Sequence, residues 1–314
     1  MSFNQDVKKE IIILERERYF KFSLLAGFLR LGSLVNLLGK NKIRLTAHSY
    51  NPSIARFIKK ELKDLFSIES ELQINKNALN KYYYNLKLKA DNNYLKILYK
   101  YICILDDDDK FHNLFMTKTP SFIKSSKNSI KGYLTGLFLA KGVILDPIKT
   151  YRYSIENMNK KNAEDIKKLF EKLNLSIRIS IKKNKSSYNI VCTNSENILD
   201  ILAFMGVSNS YTALENIIIQ KQNKTIANRQ RNIEYGNIEK ISKTAEKQIK
   251  NILLIKEKMG LDFLPEKLKE LSLKRLKNEG LSLSELSDLD NISKHTIYSR
   301  FKKIEEIAGK INNG

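Results

Sequence analysis

Residues 24–34 read LLAGFLRLGSL and residues 134–144 read LTGLFLAKGVI, so that Leu25-Ala26-Gly27 is answered 109 residues later by Leu134-Thr135-Gly136. In each copy the apolar residues keep helical spacing around the glycine. Glycine lacks the Cβ that holds packed helices about 8–10 Å apart, so two such helices can bring their backbones together. One copy alone reads as an ordinary core helix with an incidental glycine. Recurrence at a fixed offset marks a duplicated unit built on one central, pseudo-symmetric helix pair, with Gly27 and Gly136 at its contact.

The flanks of each copy repeat as well. In the first, a helix over 7–18 turns Ile11, Ile12 and Leu14 inward and Lys9, Glu10, Glu15 and Arg16 outward. After the glycine helix, 34–38 and 43–48 form a hairpin about Gly39-Lys40-Asn41. Asn51-Pro52 then starts a helix to about Phe66, with Ile54, Phe57, Ile58, Leu62 and Leu65 on one face. Strands at 68–74 and 82–89 and a helix over 94–105 complete the unit. In the second, the glycine helix is followed by a strand at 143–145, a turn at Asp146-Pro147, a strand at 151–155, a helix over 162–173, strands at 177–181 and 188–191, and a helix over 198–205. The order helix, hairpin, helix, hairpin, helix occurs twice. The fold class is therefore α+β, two αββαββα units at residues 1–105 and 129–210, joined by a linker at 106–128. The four aspartates at 106–109 read as a solvated run rather than as metal ligands.

Beyond Gly206 the character changes. Residues 211–260 hold a polar, basic connecting stretch, QKQNKTIANRQRN at 220–232, and then a long amphipathic helix. Ile238, Ile241, Ala245, Ile249, Ile252 and Met259 mark its inner side; Lys240, Lys243, Lys247 and Lys250 mark the other, either as solvated lysines or as a stripe along a phosphate backbone. Residues 261–314 form an all-α domain. Pro265 opens a helix to about Asn278, stopped by Gly280. Ser282 and Glu285 make a capping box for a short helix holding Leu286 and Leu289, and after Asp290-Asn291-Ile292, Ser293 caps a third. That last helix turns Ile297, Phe301, Ile304 and Ala308 inward and Lys294, His295, Thr296, Ser299, Arg300 and Lys303 outward, the pattern of a helix-turn-helix with its recognition helix last. Thr296 and Ser299 are short enough to let a helix approach base edges, Arg300 can bind guanine bidentately, and Lys302 and Lys303 can neutralise phosphates. Trihelical modules also dock proteins, and charge weighs between the two.

The net charge of +22 over 314 residues calls for a polyanionic partner, and no apolar run reaches the roughly 20 residues of a membrane span. MSFNQDVKKE lacks the apolar core of a signal peptide, so the expected location is cytoplasmic, on the nucleoid, and the expected partner is double-stranded DNA, with no membrane contact. An abundance of Lys, Asn and Ile inflates the lysine count everywhere. Yet residues 221–314 hold 20 Lys and Arg against 13 Asp and Glu, and residues 1–220 hold 36 against 21, so both parts are basic. Cys103 and Cys192 read as reduced core residues. His48, His112 and His295 are too scattered for a metal site, and no cofactor is expected.

The paired glycine helices with their hairpins resemble the LAGLIDADG homing-endonuclease fold, in which two such units form a saddle over DNA and an acid at the eighth motif position holds the catalytic metal. Here the eighth positions are Gly32 and Lys141, so the resemblance implies the saddle without the nuclease chemistry. A LAGLIDADG-like duplication without acids, followed by a helix-turn-helix, is similar to the WhiA family of bacterial regulators. The stretches that agree are SFNQDVKKEI at 2–11, Asp146-Pro147, LENIIIQKQNKTIANRQRN at 214–232 and LSLSELSDLDNISKHTIYSRFKKIEEIA at 281–308. That resemblance implies a sequence-specific DNA-binding transcriptional regulator linked to cell division, chromosome segregation and, in sporulating bacteria, sporulation. It carries recognition onto Lys294, His295, Thr296, Ser299, Arg300 and Lys303. Asn228, Arg229 and Asn232 are either further DNA contacts or an interdomain hinge. Two alternatives stand beside it: an active endonuclease drawing its carboxylates from Asp146 or Glu156, and a nucleoid-associated architectural protein. Whether the saddle touches DNA or a protein partner, and whether the chain acts as a monomer, are left open.

Overall fold

The computed structural model describes residues 2–37, 43–89, 92–102, 104, 118–173 and 176–312. The turn at Gly39-Lys40-Asn41, Cys103, the aspartates at 106–109 and His112 lie outside the described residues. The chain divides into two compact units, Met1–Gln220 and Lys221–Gly314.

The first unit opens with α1 (Phe3–Ile13) and α2 (Arg18–Gly32). The expected single helix over 7–18 is thus corrected: α1 starts earlier, and Leu14 and Glu17 take extended backbone angles. Tertiary anchoring overrides helix periodicity here, since the Arg16 guanidinium donates to the Met205 carbonyl and lies 4.8 Å from the Phe20 ring centroid. Glu10, expected to face outward, is buried. Its carboxylate accepts from the backbone N–H groups of Asn209 and Ser210 at 2.8 and 3.0 Å and from the Ser210 hydroxyl at 2.7 Å. Those N–H groups belong to the first turn of the helix beginning at Ser208 and have no acceptor within it, so the charge is used where a helix start is positive.

Next come β1 (Ser33–Leu37), β2 (Ile43–Ser49), α3 (Pro52–Phe66), β3 (Glu69–Lys76), β4 (Tyr82–Lys89) and α4 (Asn92–Tyr101). The Asn51 side chain caps α3 by accepting from Ser53 and Ile54 N–H, Ser67 ends it in the left-handed region, and Ile54, Ile58 and Leu62 point into the core. The series then repeats as α5 (Lys127–Lys141), β5 (Gly142–Ile144), β6 (Tyr153–Met158), α6 (Lys160–Lys172), β7 (Ser180–Asn184), β8 (Ser187–Cys192) and α7 (Ser195–Met205). Two antiparallel sheets of identical topology result, ordered β1-β2-β4-β3 and β5-β6-β8-β7. The expected duplicated α+β region is what the chain forms.

Several boundaries differ from expectation, among them the starts of α6, at Lys160 rather than 162, and of α7, at Ser195 rather than 198. Residues 146–150 are held in a turn by Asp146, whose carbonyl accepts from Lys149 and Thr150 N–H and whose carboxylate accepts from Ile148 N–H, so β6 begins at Tyr153 rather than 151. β7 occupies Ser180–Asn184 rather than 177–181, because the tight turn that sets its register with β8 comes at Lys185, φ +50°. α4 closes at Tyr101, short of 105.

α2 and α5 pack along each other at the centre, and Leu24, Leu25, Leu29, Leu134, Leu137 and Phe138 are all essentially inaccessible to solvent. A Cβ on Gly27 would run into the Tyr133 carbonyl, and one on Gly136 into that of Leu24. Gly132, which the repeat did not single out, is a third point of approach, 2.7 Å between its would-be Cβ and Phe20 O.

The 51-residue α8 (Ser208–Lys258) is followed, in the second unit, by α9 (Glu266–Lys277), α10 (Leu283–Asp290) and α11 (Lys294–Asn312). Residues 220–232, read as a connecting stretch, are helical throughout. The stripe that α8 buries in this unit is Ala245, Gln248, Ile252 and Ile255; Ile238 and Met259, expected inward, are 62% and 50% exposed. Leu289 is likewise corrected to the surface, since α10 is too short to bury more than the Leu286 side.

Replacing Gly136 by Ala is expected to cost at least about 2 kcal/mol, since backbone rather than a flexible side chain must move. Gly236→Ala, in α8 with nothing within 4 Å, should be neutral or stabilise by up to about 1 kcal/mol. Urea unfolding of both variants checks the contrast.

Candidate nucleic-acid interface

The second unit's core consists of Ile252 and Ile255 of α8, Leu264, Leu268 and Leu271 of the α9 region, Leu286 of α10 and Ile297, Phe301, Ile304 and Ala308 of α11. All four α11 residues expected inward are there. The Ser282 hydroxyl accepts from Glu285 N–H at 3.2 Å and the Glu285 carboxylate accepts from Ser282 N–H at 2.7 Å, closing the expected capping box. Those hydrogen bonds hold the Glu285 carboxyl below its ordinary value. Asn291 takes the left-handed conformation at φ +49°, which lets the chain turn sharply into α11, and Ser293 caps that helix by accepting from Thr296 N–H.

Burial of one α11 face exposes the other. Lys294, His295, Lys302 and Lys303 are exposed, and Thr296, Ser299 and Arg300 are half-buried at its edge. The Ser299 hydroxyl donates to the Thr296 carbonyl at 2.9 Å, which leaves its lone pairs for a partner. Tyr298, 59% exposed, stands between His295 and Lys302 on the same stripe. It was not singled out from the sequence, although its spacing of three and four from those two residues is the signal.

The lysines of the α8 stripe are not equivalent. Lys243 pairs with Glu239 at 2.7 Å and Lys247 pairs with Glu305 of α11, whereas Lys240 forms no ion pair among the described residues. Asn228, Arg229 and Asn232 are exposed on α8.

In the first unit, the α2 and α5 feet bring Gly32 and Lys141 to the eighth motif positions. A Cβ on Gly32 would lie 3.2 Å from both the Ala140 Cβ and the Phe28 ring, so helix packing uses this position. Lys141 is half-buried, and burial together with the Lys141 charge lowers the His48 pKa. Asp146 is spent on its own turn, and Glu156 accepts from the Ser154 hydroxyl at 2.9 Å and faces Lys8, whose pKa burial pulls down to about 8 against the pull of that carboxylate. Among the described residues no three His, Cys, Asp or Glu side chains gather as a cation cage.

Comparison with known proteins covers nearly the whole chain. Residues 21–99 match the WhiA N-terminal LAGLIDADG-like domain, 130–224 the WhiA LAGLIDADG-like domain and 227–308 the WhiA C-terminal HTH domain. The probable cell division protein WhiA of Thermoanaerobacter pseudethanolicus is 33% identical over 99% of this chain and 98% of its own. The chain belongs to the WhiA family. Its counterpart in Pediococcus pentosaceus is 32% identical over 99% of both chains. The crystal structure of full-length WhiA from T. maritima, 24% identical, shares the fold at a TM-score of 0.58 with 99% of each chain covered.

One buried cation of this WhiA-family chain lies inside the glycine helix α2. Arg30, 1% exposed, donates to the Tyr133 hydroxyl at 2.8 Å, to Asp165 at 3.0 Å and to Asn162 Oδ1 at 2.6 Å, tying α2 to α5 and α6. A lone arginine in a glycine helix is the signal that was available. Among the described residues, no helix is long and apolar enough to cross a membrane.

Ser282→Ala should cost the second unit about 1 kcal/mol. Glu285 has a depressed folded pKa, so its contribution is complete above the ordinary value of 4.5 and is lost as pH falls through the folded value. Glu285→Gln should therefore flatten the acid limb of the stability profile, as read by circular dichroism melts between about pH 3 and 6.

Proposed function

We propose that the chain is a sequence-specific DNA-binding transcriptional regulator without nuclease activity, and that α11 reads double-stranded DNA from the major groove. The observation that carries this reading is the outer face of α11, where Lys294, His295, Thr296, Ser299, Arg300, Lys302 and Lys303 surround a capped helix start and no acidic residue falls between positions 294 and 303. A major groove admits one α-helix; Arg300 has the fork to take guanine, and the lysines take phosphates. Relatives named for cell division lead us to place the regulated processes in cell division and chromosome segregation, with the protein on the nucleoid. The basic LAGLIDADG-like unit adds phosphate contacts or holds a protein partner, and Asn228, Arg229 and Asn232 extend the backbone contacts along α8.

With a preferred site selected from a random pool, Arg300→Ala should cost about 1–3 kcal/mol on that site and little on random duplex, measured by fluorescence anisotropy. Log K should fall with log salt by about 0.9 per phosphate neutralised. Equal losses on both duplexes would remove the base-reading role.

The rival reading is a nuclease, which would have to draw on Asp146 or Glu156 because Gly32 and Lys141 occupy the motif's acid positions. Supercoiled plasmid incubated with the full chain and Mg²⁺ should stay uncut. Cutting that disappears in Asp146→Ala would overturn the proposal. Sharp genome-wide occupancy over a common sequence is expected, and broad occupancy would favour an architectural role.

A further inference from the structure

The second unit contains a cavity of about 380 Å³ lined by Lys240 and Thr244 of α8, Arg275 of α9, Ser282 and Ser284 at the start of α10, and Lys294 at the start of α11, with no carboxylate among its lining residues. Arg275 is 1% exposed. Its Nη1 donates to the carbonyls of Asn278 and Leu281 at 3.3 and 2.6 Å, and its guanidinium lies 5.4 Å from the Phe301 ring centroid. Its Nε is buried without a hydrogen-bond partner. Among the described residues no acid pairs with it, and burial alone accounts for the direction of its pKa shift, downward. A buried cation held only by neutral groups is costly, and the cost is relieved when an anion arrives.

Around that donor stand two lysines without ion pairs among the described residues, Lys240 and Lys294, while the neighbouring Lys243 and Lys247 are both paired. Leu283 and Ser284, the first residues of α10, have backbone N–H groups with no acceptor inside the helix. The nearby Glu285 carboxylate is committed to Ser282 N–H.

We propose that this cavity is a seat for a phosphate group, held by Arg275, Lys240, Lys294 and the start of α10. The inference rests on the DNA-binding reading above for its source, a backbone phosphate of the duplex that α11 reads, because Lys294 belongs to both the cavity and the reading face. A phosphate here fixes the depth and angle at which α11 enters the groove.

The test uses the full chain and a mixed-sequence duplex of about 30 base pairs. Lys240→Gln should weaken binding about three- to tenfold near 0.1 M salt and lower the salt slope by about one, whereas Lys267→Gln, on an exposed part of α9 outside the cavity, should do neither. In a second arm, inorganic phosphate is compared with chloride at equal ionic strength in thermal melts. Phosphate should raise the Tm of the unaltered chain more than that of Lys240→Gln, a comparison that cancels the general salting effect. Protection by phosphate with an unchanged DNA slope would keep the seat and assign it to a soluble phosphorylated compound. No selective protection and no selective change of slope would overturn the proposal, and the Arg300→Ala measurement would still decide separately whether α11 reads DNA.

Discussion

The first unit depends on one approach of backbone to backbone. α2 and α5 cross where Gly27 faces the Tyr133 carbonyl and Gly136 faces the Leu24 carbonyl, a separation that leaves no room for a Cβ on either side. Because β1 follows α2 directly and β5 follows α5, the angle and depth of this contact also set the origin of each four-stranded sheet. A helix pair that close has few side-chain degrees of freedom at its centre. Specificity of register then comes from the places where glycines occur, at 27, 132 and 136, more than from the apolar residues around them, which would tolerate exchange.

The same closeness decides what the helix feet can do. Gly32 lies against the Ala140 and Phe28 side chains, so that even a Cβ at that position would press on both. At the other foot stands a half-buried lysine whose charge bears on His48. A site that holds a divalent cation needs converging carboxylates, and here one position is occupied by packing and the other by positive charge. Arg30 meanwhile finds its carboxylate deep in the unit, at Asp165, where charge serves cohesion between the two halves.

Much of this was legible in the sequence, for physical reasons that differ by element. α3 followed from Asn51-Pro52 and α10 from the Ser282–Glu285 spacing, because each start depends on interactions within a few residues, whereas the pairings of β2 with β4 and of β6 with β8, which join the hairpins into sheets, reach across an intervening helix and were not legible. The failures occurred where a distant partner intervened. Glu10 looks like any surface glutamate until Ser208 begins a helix against it, and Arg16 breaks a helical pattern for the sake of a carbonyl 189 positions away. Ile238 sits in phase with a buried stripe, but burial along this part of α8 begins only at Ala245, so periodicity continues where burial does not. In the interface, composition pointed to the cationic face of α11, while Tyr298 and Arg275 required knowledge of what each helix leaves uncovered.

The net charge of +22 overstates what is available to a polyanion, and the pairings show which part remains. Glu239 neutralises Lys243, Glu305 neutralises Lys247, and Asp262 neutralises Lys269 at 2.7 Å. Along α11 the first ten residues, Lys294 to Lys303, carry no acid, while Glu305 and Glu306 follow in the next turn. The helix is thus polarised, with its cations at the end where the backbone dipole is also positive. Cations at a helix N-terminus are unfavourable for the helix itself, by roughly 0.3–1 kcal/mol each when exposed. Lys294 therefore weakens the element that carries it, an effect that the Ser293 cap works against. Packing gives no reason for two exposed basic residues in that turn. A phosphate-lined groove gives one, because the same concentration of positive charge that opposes folding of α11 favours its entry beside DNA.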